Sequence, residues 1–374
     1  MKNKIFIIVI ITFWTLISIL NIAVPKKEFS EKENRYLAKF PKVQLSSIKD
    51  GTLTPKIEQY INDHFIFRDN WIYLKSTTEL ALGKTQNNNI YVGKDGYLFE
   101  RFDAYNIVPK DLTKNIEVLD RFSKKASKNA NIYTCILPNS IQIYKDKLPK
   151  NAVVADQKKL TQYIYMNLPS SININTIHAL EAKKNDEQLY FKTDHHMTSY
   201  GAYYAYVEIC KALNIEPTAK EEYTKKTVTK SFFGTFDSKA GIVFTKPDNI
   251  DILENEKNKS IKEAAYDNKK TSSIYNYEYL NKKDKYSFFL NGNNAKVVLK
   301  TNETNGKKLL LIKDSYSHIF IQFLVQHYEE IHLIDPRYYK LPITEYIKQN
   351  EINDVVILYN INNFISDLGI RTIS

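Results

Sequence analysis

The sequence contains few cysteines and few glycines. Its 374 residues include two cysteines, Cys135 and Cys210, and ten glycines. Two cysteines allow one disulfide bond, but they exclude a disulfide framework and a zinc site built from four cysteines. The scarcity of glycine excludes collagen-like and glycine-rich linker architectures.

The overall composition is that of a globular protein. Hydrophobic residues make up 43% of the chain and charged residues 25%, which excludes wholesale disorder. The length allows one large domain or two modest ones. A net charge of +11 would suggest nucleic acid as the partner of a cytosolic protein. The basic residues are spread along the chain, however, so we expect a solvated surface and no nucleic-acid partner.

The N-terminus carries a long apolar run. Residues 5–24 are uncharged and follow Lys2 and Lys4. Twenty helical residues span about 30 Å, the thickness of the hydrocarbon core. A cleaved signal peptide, the alternative, has a shorter apolar run that ends at small residues. We therefore expect a cytoplasmic tail at 1–4, a single uncleaved transmembrane anchor at 5–24, and the rest of the chain outside the cell membrane.

The segments after the anchor differ in character. Residues 25–86 suggest a juxtamembrane helical segment, with an amphipathic helix over about 56–82. NNNIYVGKDGYLFE, at 87–100, predicts a hairpin. It opens a domain that we expect to cover 87–374. Within that domain, about 218–300 is rich in Lys, Asn, Asp and Glu and is interpreted as a polar insertion.

Short apolar runs alternate with helical patterns in this domain. The runs are NIYTCIL (131–137), LYF (189–191), KKLLLI (307–312), EIHLID (330–335) and DVVILYN (354–360). Such alternation predicts an α/β fold with a mostly parallel sheet and helices on its faces. Ligands of these folds bind at the carboxyl ends of the strands.

A serine follows one of these runs directly. KKLLLI leads into Lys313, Asp314, Ser315 and Tyr316, and then into an amphipathic helical pattern. A serine on a strand-to-helix turn presents its hydroxyl above the sheet edge, beside free helix N–H groups that can stabilise an oxyanion. The alternative is that Asp314 or Ser315 only caps the helix.

A base with an orienting carboxylate follows another run. In KTDHHMTSYGAYYAY, Asp194 and His196 stand two residues apart. In extended backbone they face one pocket and His195 points away, while Thr198 or Ser199 caps the next helix. A polar helix entry without chemistry is one alternative. A metal site of Asp194, His195 and His196 is another, but adjacent side chains diverge and no HExxH motif exists, so we expect no metal.

Further polar residues follow the strand ends. An asparagine amide can donate a hydrogen bond to an oxyanion, and an arginine can hold an anion or a carboxylate. The oxyanion and substrate candidates are Tyr316, Arg337, Asn360, Asn139 and Asn362.

These motifs together resemble a known family. Asp194-x-His196, the D-S-Y-S at 314–317, SEKENRYLAKFP (30–41) and NDHFIFRDNW (62–71) are similar to the SGNH-hydrolase-like domain of alginate O-acetyltransferases, and above all to their Gram-positive DHHW relatives. The resemblance implies a three-layer α/β sandwich, with Ser315 as nucleophile, His196 as base and Asp194 as its orienting carboxylate. It also implies an acetyl-enzyme without a cofactor, and a separate multi-spanning membrane acyltransferase that supplies acetyl groups.

The sequence departs from the family pattern at Met197, where a tryptophan is usual, and no aromatic-rich carbohydrate-binding module follows the domain. We predict a membrane-anchored, extracytoplasmic O-acetyltransferase or acetylesterase that acts on a cell-envelope polysaccharide or exopolysaccharide. The alternative is a catalytically silent envelope scaffold of the same fold that binds a polysaccharide or a partner protein.

Overall fold

The computed structural model describes residues 2–30, 32–33, 35–242, 244–259, 261–266 and 269–373. The chain forms two compact units. The small unit comprises residues 1–87 and 238–244, and the large unit comprises residues 88–237 and 245–374.

The small unit is mostly helical. Its elements are α1 (Lys2–Ala23), β1 (Phe29–Ser30), β2 (Arg35–Tyr36), α2 (Leu45–Lys49), α3 (Leu53–His64), α4 (Arg68–Ala81) and β3 (Gln86–Asn87). The helix predicted over 56–82 is therefore two helices. They are separated at Phe67, whose φ of 54° no α-helix accommodates.

Helix α1 is the only described helix long and apolar enough to cross a membrane. Its span Lys4–Ala23 has a mean hydropathy of 2.6 and is not buried within the protein. Length and composition of this kind are compatible with a membrane anchor or a signal sequence.

An ion pair between a half-exposed arginine and a buried aspartate joins the two motifs that follow α1. Arg35, from SEKENRYLAKFP, donates two hydrogen bonds to the Asp63 carboxylate of NDHFIFRDNW, at 2.9 and 2.5 Å. The backbone N–H of Ala38 donates a third, at 2.8 Å. The Arg35 bonds lower the pKa of the buried Asp63 to about 2. This bidentate pair fixes the chain between β2 and α3.

The large unit contains the remaining elements. Its strands are β4 (Ile90–Val92), β5 (Leu98–Glu100), β6 (Asn131–Leu137), β7 (Ile172–Ile174), β8 (Thr224–Phe232), β9 (Asp248–Glu254), β10 (Glu263–Tyr266), β11 (Lys269–Thr271), β12 (Lys296–Lys300), β13 (Lys308–Lys313), β14 (Glu330–Ile334) and β15 (Asp354–Asn360). Its α-helices are α5 (Pro109–Ala126), α6 (Ser140–Ile143), α7 (Gln157–Met166), α8 (Ile177–Lys183), α9 (Ser199–Leu213), α11 (Ile321–Leu324), α12 (Ile343–Gln349) and α13 (Ile361–Ser366), and α10 (Thr235–Ala240) ends in the small unit.

The centre of the large unit is an eight-stranded sheet in the order β11-β10-β12-β14-β13-β15-β6-β7. The strands from β14 to β7 are parallel, and β12, β10 and β11 are antiparallel. Helices α5, α12 and α13 pack together beside β6 and β15, and α8 and α9 form a second group beside β7. The predicted α/β fold with a mostly parallel sheet is confirmed.

Four of the five apolar runs form neighbouring strands of this sheet. They are β6, β13, β14 and β15, and nearly all of their side chains are buried, as in parallel sheets covered on both faces. The fifth run, LYF, is not a strand, because Tyr190 makes only an isolated bridge with Met197. Within 218–300, β8 and β9 form their own two-stranded sheet, whereas β10, β11 and β12 extend the central sheet. Cys135 and Cys210 are buried and free, so they form no disulfide bond.

Candidate active site

The serine turn follows β13 directly. A 3-10 helix, Ser315–Phe320, begins where the strand ends and leads into α11. The Asp314 carboxylate caps it by accepting the N–H of Tyr316 at 2.9 Å. Asp314 also accepts the N–H of Asn360 at 2.8 Å and the amide of Asn363 at 2.7 Å. Because Asp314 fills the capping role, the Ser315 hydroxyl is left for another partner.

The histidine loop is closed by backbone hydrogen bonds. The N–H of Phe191 donates to the carbonyl of His196 at 3.2 Å, and the N–H of Thr198 donates to the carbonyl of Leu189 at 3.0 Å. The Thr198 hydroxyl then accepts the N–H of Gly201 at 3.3 Å, which caps α9 as predicted. The loop is thereby fixed at both ends.

The two segments meet in a chain of hydrogen bonds. Asp194 Oδ1 accepts a hydrogen bond from His196 Nδ1 at 2.6 Å, and His196 Nε2 lies 2.9 Å from Ser315 Oγ. Asp194 and His196 are buried, whereas Ser315 is partly exposed. The fold therefore brings together the three residues that the sequence pattern singled out, in the order that acyl transfer requires.

The electrostatic environment determines the protonation states of Asp194 and His196. Burial raises the pKa of Asp194, but the charges of His195 and His196 and the hydrogen bonds that it accepts outweigh burial, so its pKa lies below the usual range. Those bonds include the Thr235 N–H at 2.8 Å and hydroxyl at 3.1 Å. Burial lowers the pKa of His196 to about 4. At neutral pH, Asp194 is therefore a carboxylate and His196 is neutral, with Nε2 free to accept the serine proton.

A tyrosine that sequence reasoning missed covers the imidazole. The ring of Tyr286 lies parallel to that of His196, with centroids 3.5 Å apart and planes at 7°. Its hydroxyl donates to the Ser315 carbonyl at 3.3 Å, and the side chain is buried. Tyr286 belongs to the 3-10 helix Lys285–Phe288, within the segment interpreted as a polar insertion. No spacing rule connects it to the two motifs, so the sequence contained no signal for this contact.

His195 does not point away from the site. Its Nδ1 lies 2.8 Å from Thr235 Oγ1 and 3.4 Å from Asp194 Oδ1, and its ring centroid is 3.8 Å from that of His196. The expectation of an extended backbone was wrong, because the loop consists of bends. Donor atoms of Asp194, His195 and His196 lie within 4.8 Å of one another. A metal ion at His196 would have to replace its bonds to Asp194 or Ser315.

The asparagine candidates bond to one another. The Asn360 amide donates to the side-chain oxygen of Asn139. The Asn139 amide in turn donates to the side-chain oxygen of Asn362 at 2.7 Å. The backbone N–H of Asn360 connects this cluster to the serine turn through Asp314. These side-chain amides are thus bonded to one another and connected to the serine turn. The Tyr316 hydroxyl donates to the carbonyl of His195 and is likewise engaged.

Arg337 belongs to a buried charge cluster behind the serine turn. It donates two hydrogen bonds to the Asp335 carboxylate, at 2.9 and 2.6 Å. Lys313 Nζ lies 3.4 Å from the same carboxylate and 2.8 Å from His318 Nε2. Lys313 and Asp335 are fully buried, and burial lowers the pKa values of Lys313 and His318. Arg337 is therefore paired, and its positive charge also lowers the pKa of His196.

Two neighbouring positions explain local features of the loop. Met197 stands where the resembling family has tryptophan, and its side chain is buried in the hydrophobic core while its backbone bridges to Tyr190. It therefore supplies no pocket wall.

Gly234 passes so close to the loop that an added Cβ would lie 2.2 Å from Asp194 Cβ. A side chain at that position would displace the carboxylate.

Solved structures with a similar fold are known. A DHHW family protein from Eubacterium siraeum has 25% sequence identity and a TM-score of 0.66, over 77% of this chain and 96% of that chain. PatB1 from Bacillus cereus, solved with a sulfonyl adduct, has 18% identity and a TM-score of 0.64, over 76% of this chain and 98% of that chain. The O-acetyltransferase domain of AlgJ from Pseudomonas putida has 14% identity and a TM-score of 0.48, over 75% of this chain and 93% of that chain.

No functionally curated protein matches the chain significantly in sequence. A family model described as DHHW protein, in contrast, matches residues 83–334, which is more than half of the chain. The matched range includes the loop of Asp194 and His196 and the turn of Ser315. The chain therefore belongs to the DHHW protein family.

Proposed function

We propose that this chain is a membrane-anchored, extracytoplasmic serine O-acetyltransferase or acetylesterase that acts on hydroxyl groups of a cell-envelope polysaccharide or exopolysaccharide. The observation that carries the proposal is the hydrogen-bonded chain from Asp194 through His196 to Ser315, at 2.6 and 2.9 Å. Two alternatives were a serine turn that only caps a helix and a histidine loop that is only a polar helix entry. Neither alternative requires a buried imidazole between a carboxylate and a partly exposed hydroxyl.

Acylation begins at the serine. Ser315 Oγ attacks the carbonyl carbon of the acetyl donor while its proton passes to His196 Nε2. Asp194 accepts the hydrogen bond of Nδ1–H, which stays on the ring, and stabilises the imidazolium that forms. The tetrahedral intermediate collapses, the leaving group takes the proton from Nε2, and an acetyl ester remains on Ser315.

Deacylation repeats these steps with another hydroxyl. The acceptor hydroxyl gives its proton to His196 Nε2 and attacks the acetyl carbon, after which Ser315 recovers the proton as it leaves. A polysaccharide acceptor gives transfer and water gives hydrolysis. Both reactions use the same side chains, so the acceptor site decides between them.

The oxyanion requires hydrogen-bond donors at the serine turn. The first N–H groups of a helix have no partner within the helix, so the N–H of Ser315 can serve. Tyr316 N–H is already bonded to Asp314. The oxyanion role of Asn139, Asn360 and Asn362 remains a prediction: an amide carries two N–H groups, and the Asn139 amide donates one hydrogen bond, to Asn362.

The acetyl donor and the anchor belong to the same proposal. An extracytoplasmic enzyme has no access to cytoplasmic acyl donors, so a multi-spanning membrane acyltransferase would supply the acetyl groups. The apolar helix α1, with Lys2 and Lys4 in its first turn, supports an anchor with the large unit outside. Arg337 as a binder of an anionic substrate group remains a prediction, because its guanidinium is paired with Asp335.

The direct test is acylation of the full-length chain in detergent. An activated acetyl ester should add about 42 Da, the mass of one acetyl group, to the peptide that contains Ser315. Ser315→Ala should abolish the adduct, and His196→Ala should lower ester turnover by about 10³-fold or more. An oligosaccharide acceptor should then accelerate loss of the adduct if the enzyme is a transferase.

A sulfonyl fluoride supplies an independent probe, because a sulfonyl adduct is recorded for PatB1. It should modify Ser315 in the wild type and not in Ser315→Ala. If the correctly folded wild type forms neither adduct and turns over no ester, the proposal fails and the silent scaffold is favoured. Full activity in His196→Ala would refute the assigned base.

A further inference from the structure

The small unit buries very few of its apolar side chains. Among its described residues between 25 and 87, Ile66 is the only large apolar side chain that is buried. Exposed large apolar residues of the same range are Tyr36, Phe40, Val43, Leu45, Ile48, Ile61, Phe67, Trp71, Leu74 and Leu82. Soluble surfaces rarely expose so many in a short segment, so this surface requires an apolar environment that the unit itself does not supply.

Four of these residues lie on α4 or directly at its ends. Trp71 and Leu74 are three residues apart within the helix and therefore on one side of it, and Phe67 and Leu82 are its N-cap and C-cap residues. We call these four residues the α4 face. The other side contains the buried Ser76. Phe67, Trp71 and Leu74 follow one another along the exposed side, and the exposed Lys75 and Thr78 separate them from Leu82.

Hydrogen bonds tie the start of α4 to the end of α1. The Asn21 side-chain oxygen accepts the N–H of Ile66 at 2.8 Å, and the Trp71 indole donates to the carbonyl of Ile66 at 3.1 Å. Ile17 and Leu20 are half-buried beside Asn21, whereas most of α1 is exposed. Where α1 leaves the hydrocarbon core, the first turns of α4 must therefore be close to the membrane surface.

A second exposed segment mixes apolar and cationic residues. Phe40, Val43 and Ile48 are exposed between β2 and the end of α2. Lys39, Lys42 and Lys49 are exposed in the same stretch. Lysines that alternate with aromatic and aliphatic side chains are typical of segments at the membrane interface, where the ammonium groups contact anionic headgroups.

We propose that the α4 face and the segment 39–49 lie in the interface of a phospholipid bilayer, with Trp71 at the level of the headgroups. This inference rests on the membrane anchor of the proposed function. Continuity with α1 and the interleaved lysines favour lipid over a second copy of the chain or a partner protein. Tryptophan is enriched at this depth because its ring is apolar and its N–H is polar.

The two tryptophans of the chain make a depth measurement possible. Trp14 lies near the middle of α1 and Trp71 lies on the α4 face, and no other tryptophan is present. Trp14→Phe leaves Trp71 as the only tryptophan emitter, and Trp71→Phe leaves Trp14. Each full-length variant is reconstituted into vesicles of phosphatidylcholine and phosphatidylglycerol that carry a spin label either near the headgroup or near the end of the acyl chain.

The proposal predicts opposite depth preferences for the two emitters. Trp71 should be quenched at least about twofold more by the shallow label than by the deep label, and Trp14 more by the deep label. If Trp14 is quenched by the deep label but Trp71 by neither, the interfacial surface is refuted and the anchor stands. If Trp14 is not quenched either, the anchor itself is refuted. Self-association of the chain in vesicles without Trp71 quenching would assign the α4 face to a second copy.

Discussion

Tyr286 lies flat on the imidazole of His196, with ring centroids 3.5 Å apart and planes at 7°, and its hydroxyl donates to the carbonyl of Ser315. One side chain thus contacts both the candidate base and the backbone of the candidate nucleophile. Because the ring excludes water from one face of the imidazole, it contributes to the burial that lowers the pKa of His196.

We predict that Tyr286 positions the base. Tyr286→Phe keeps the stacked ring and loses only the hydrogen bond to Ser315, so ester turnover should fall by only about threefold. Tyr286→Leu removes the flat surface and should lower kcat by about tenfold or more. Steady-state kinetics on an activated ester will distinguish the two variants. Equal losses in both would show that the stacking is not required.

The pH profile supplies a second prediction. The base acts in its neutral form, so kcat/KM should rise with pH through the pKa of His196, about 4, and then stay level. An ordinary histidine would place this rise near about 6.5. Asp194 remains ionised throughout, because its pKa lies below the usual range. In Tyr286→Leu, water reaches the imidazole and the rise should move to higher pH, which a purely structural defect would not cause.

Gly234 allows a test of the carboxylate position without removal of any functional group. In Gly234→Ala the new Cβ would lie 2.2 Å from Asp194 Cβ, so the loop must move. We expect turnover to fall by about tenfold or more, and the free energy of unfolding to fall by about 1–3 kcal/mol.

Gly306→Ala is the matched control for that variant. Gly306 has φ of 70° and open space around it, so alanine there should cost only about 1 kcal/mol of stability and leave turnover unchanged. Turnover on an activated ester and urea unfolding measure both effects. Wild-type turnover in Gly234→Ala would mean that the position of Asp194 is not critical.

The buried charge cluster predicts unequal effects of two substitutions. Asp335→Ala leaves Lys313 and Arg337 without their carboxylate, and Lys313 is only 1% exposed. The free energy of unfolding should therefore fall by about 3–5 kcal/mol. Lys313→Met removes the buried cation and leaves the bidentate Arg337 pair in place, so it should cost clearly less. Urea unfolding of both variants measures the difference, and equal losses would contradict this account.

The strands were predictable because each is a short apolar run bounded by polar residues. β6 and β15 occupy the ranges of their runs, β14 ends one residue earlier than its run, and β13 is shifted by one residue at both ends. The run LYF was expected to be a strand but forms only an isolated bridge, because three apolar residues do not reveal whether a partner strand exists. The break at Phe67 was also hidden, because Phe65 and Phe67 fit the helical pattern and no glycine or proline marks the bend.

The sequence by itself determined the apolar strand runs, the helix capped at Thr198, and the residue types needed for acyl transfer, because these depend on local spacing and side-chain chemistry. Only the tertiary structure decided which groups meet. Asp194 and His196 are 119 or more residues from Ser315, and Tyr286 comes from a third segment. The same folding left Asn139, Asn360 and Asn362 bonded to one another, and it determined the burial that keeps His196 neutral, which no local pattern records.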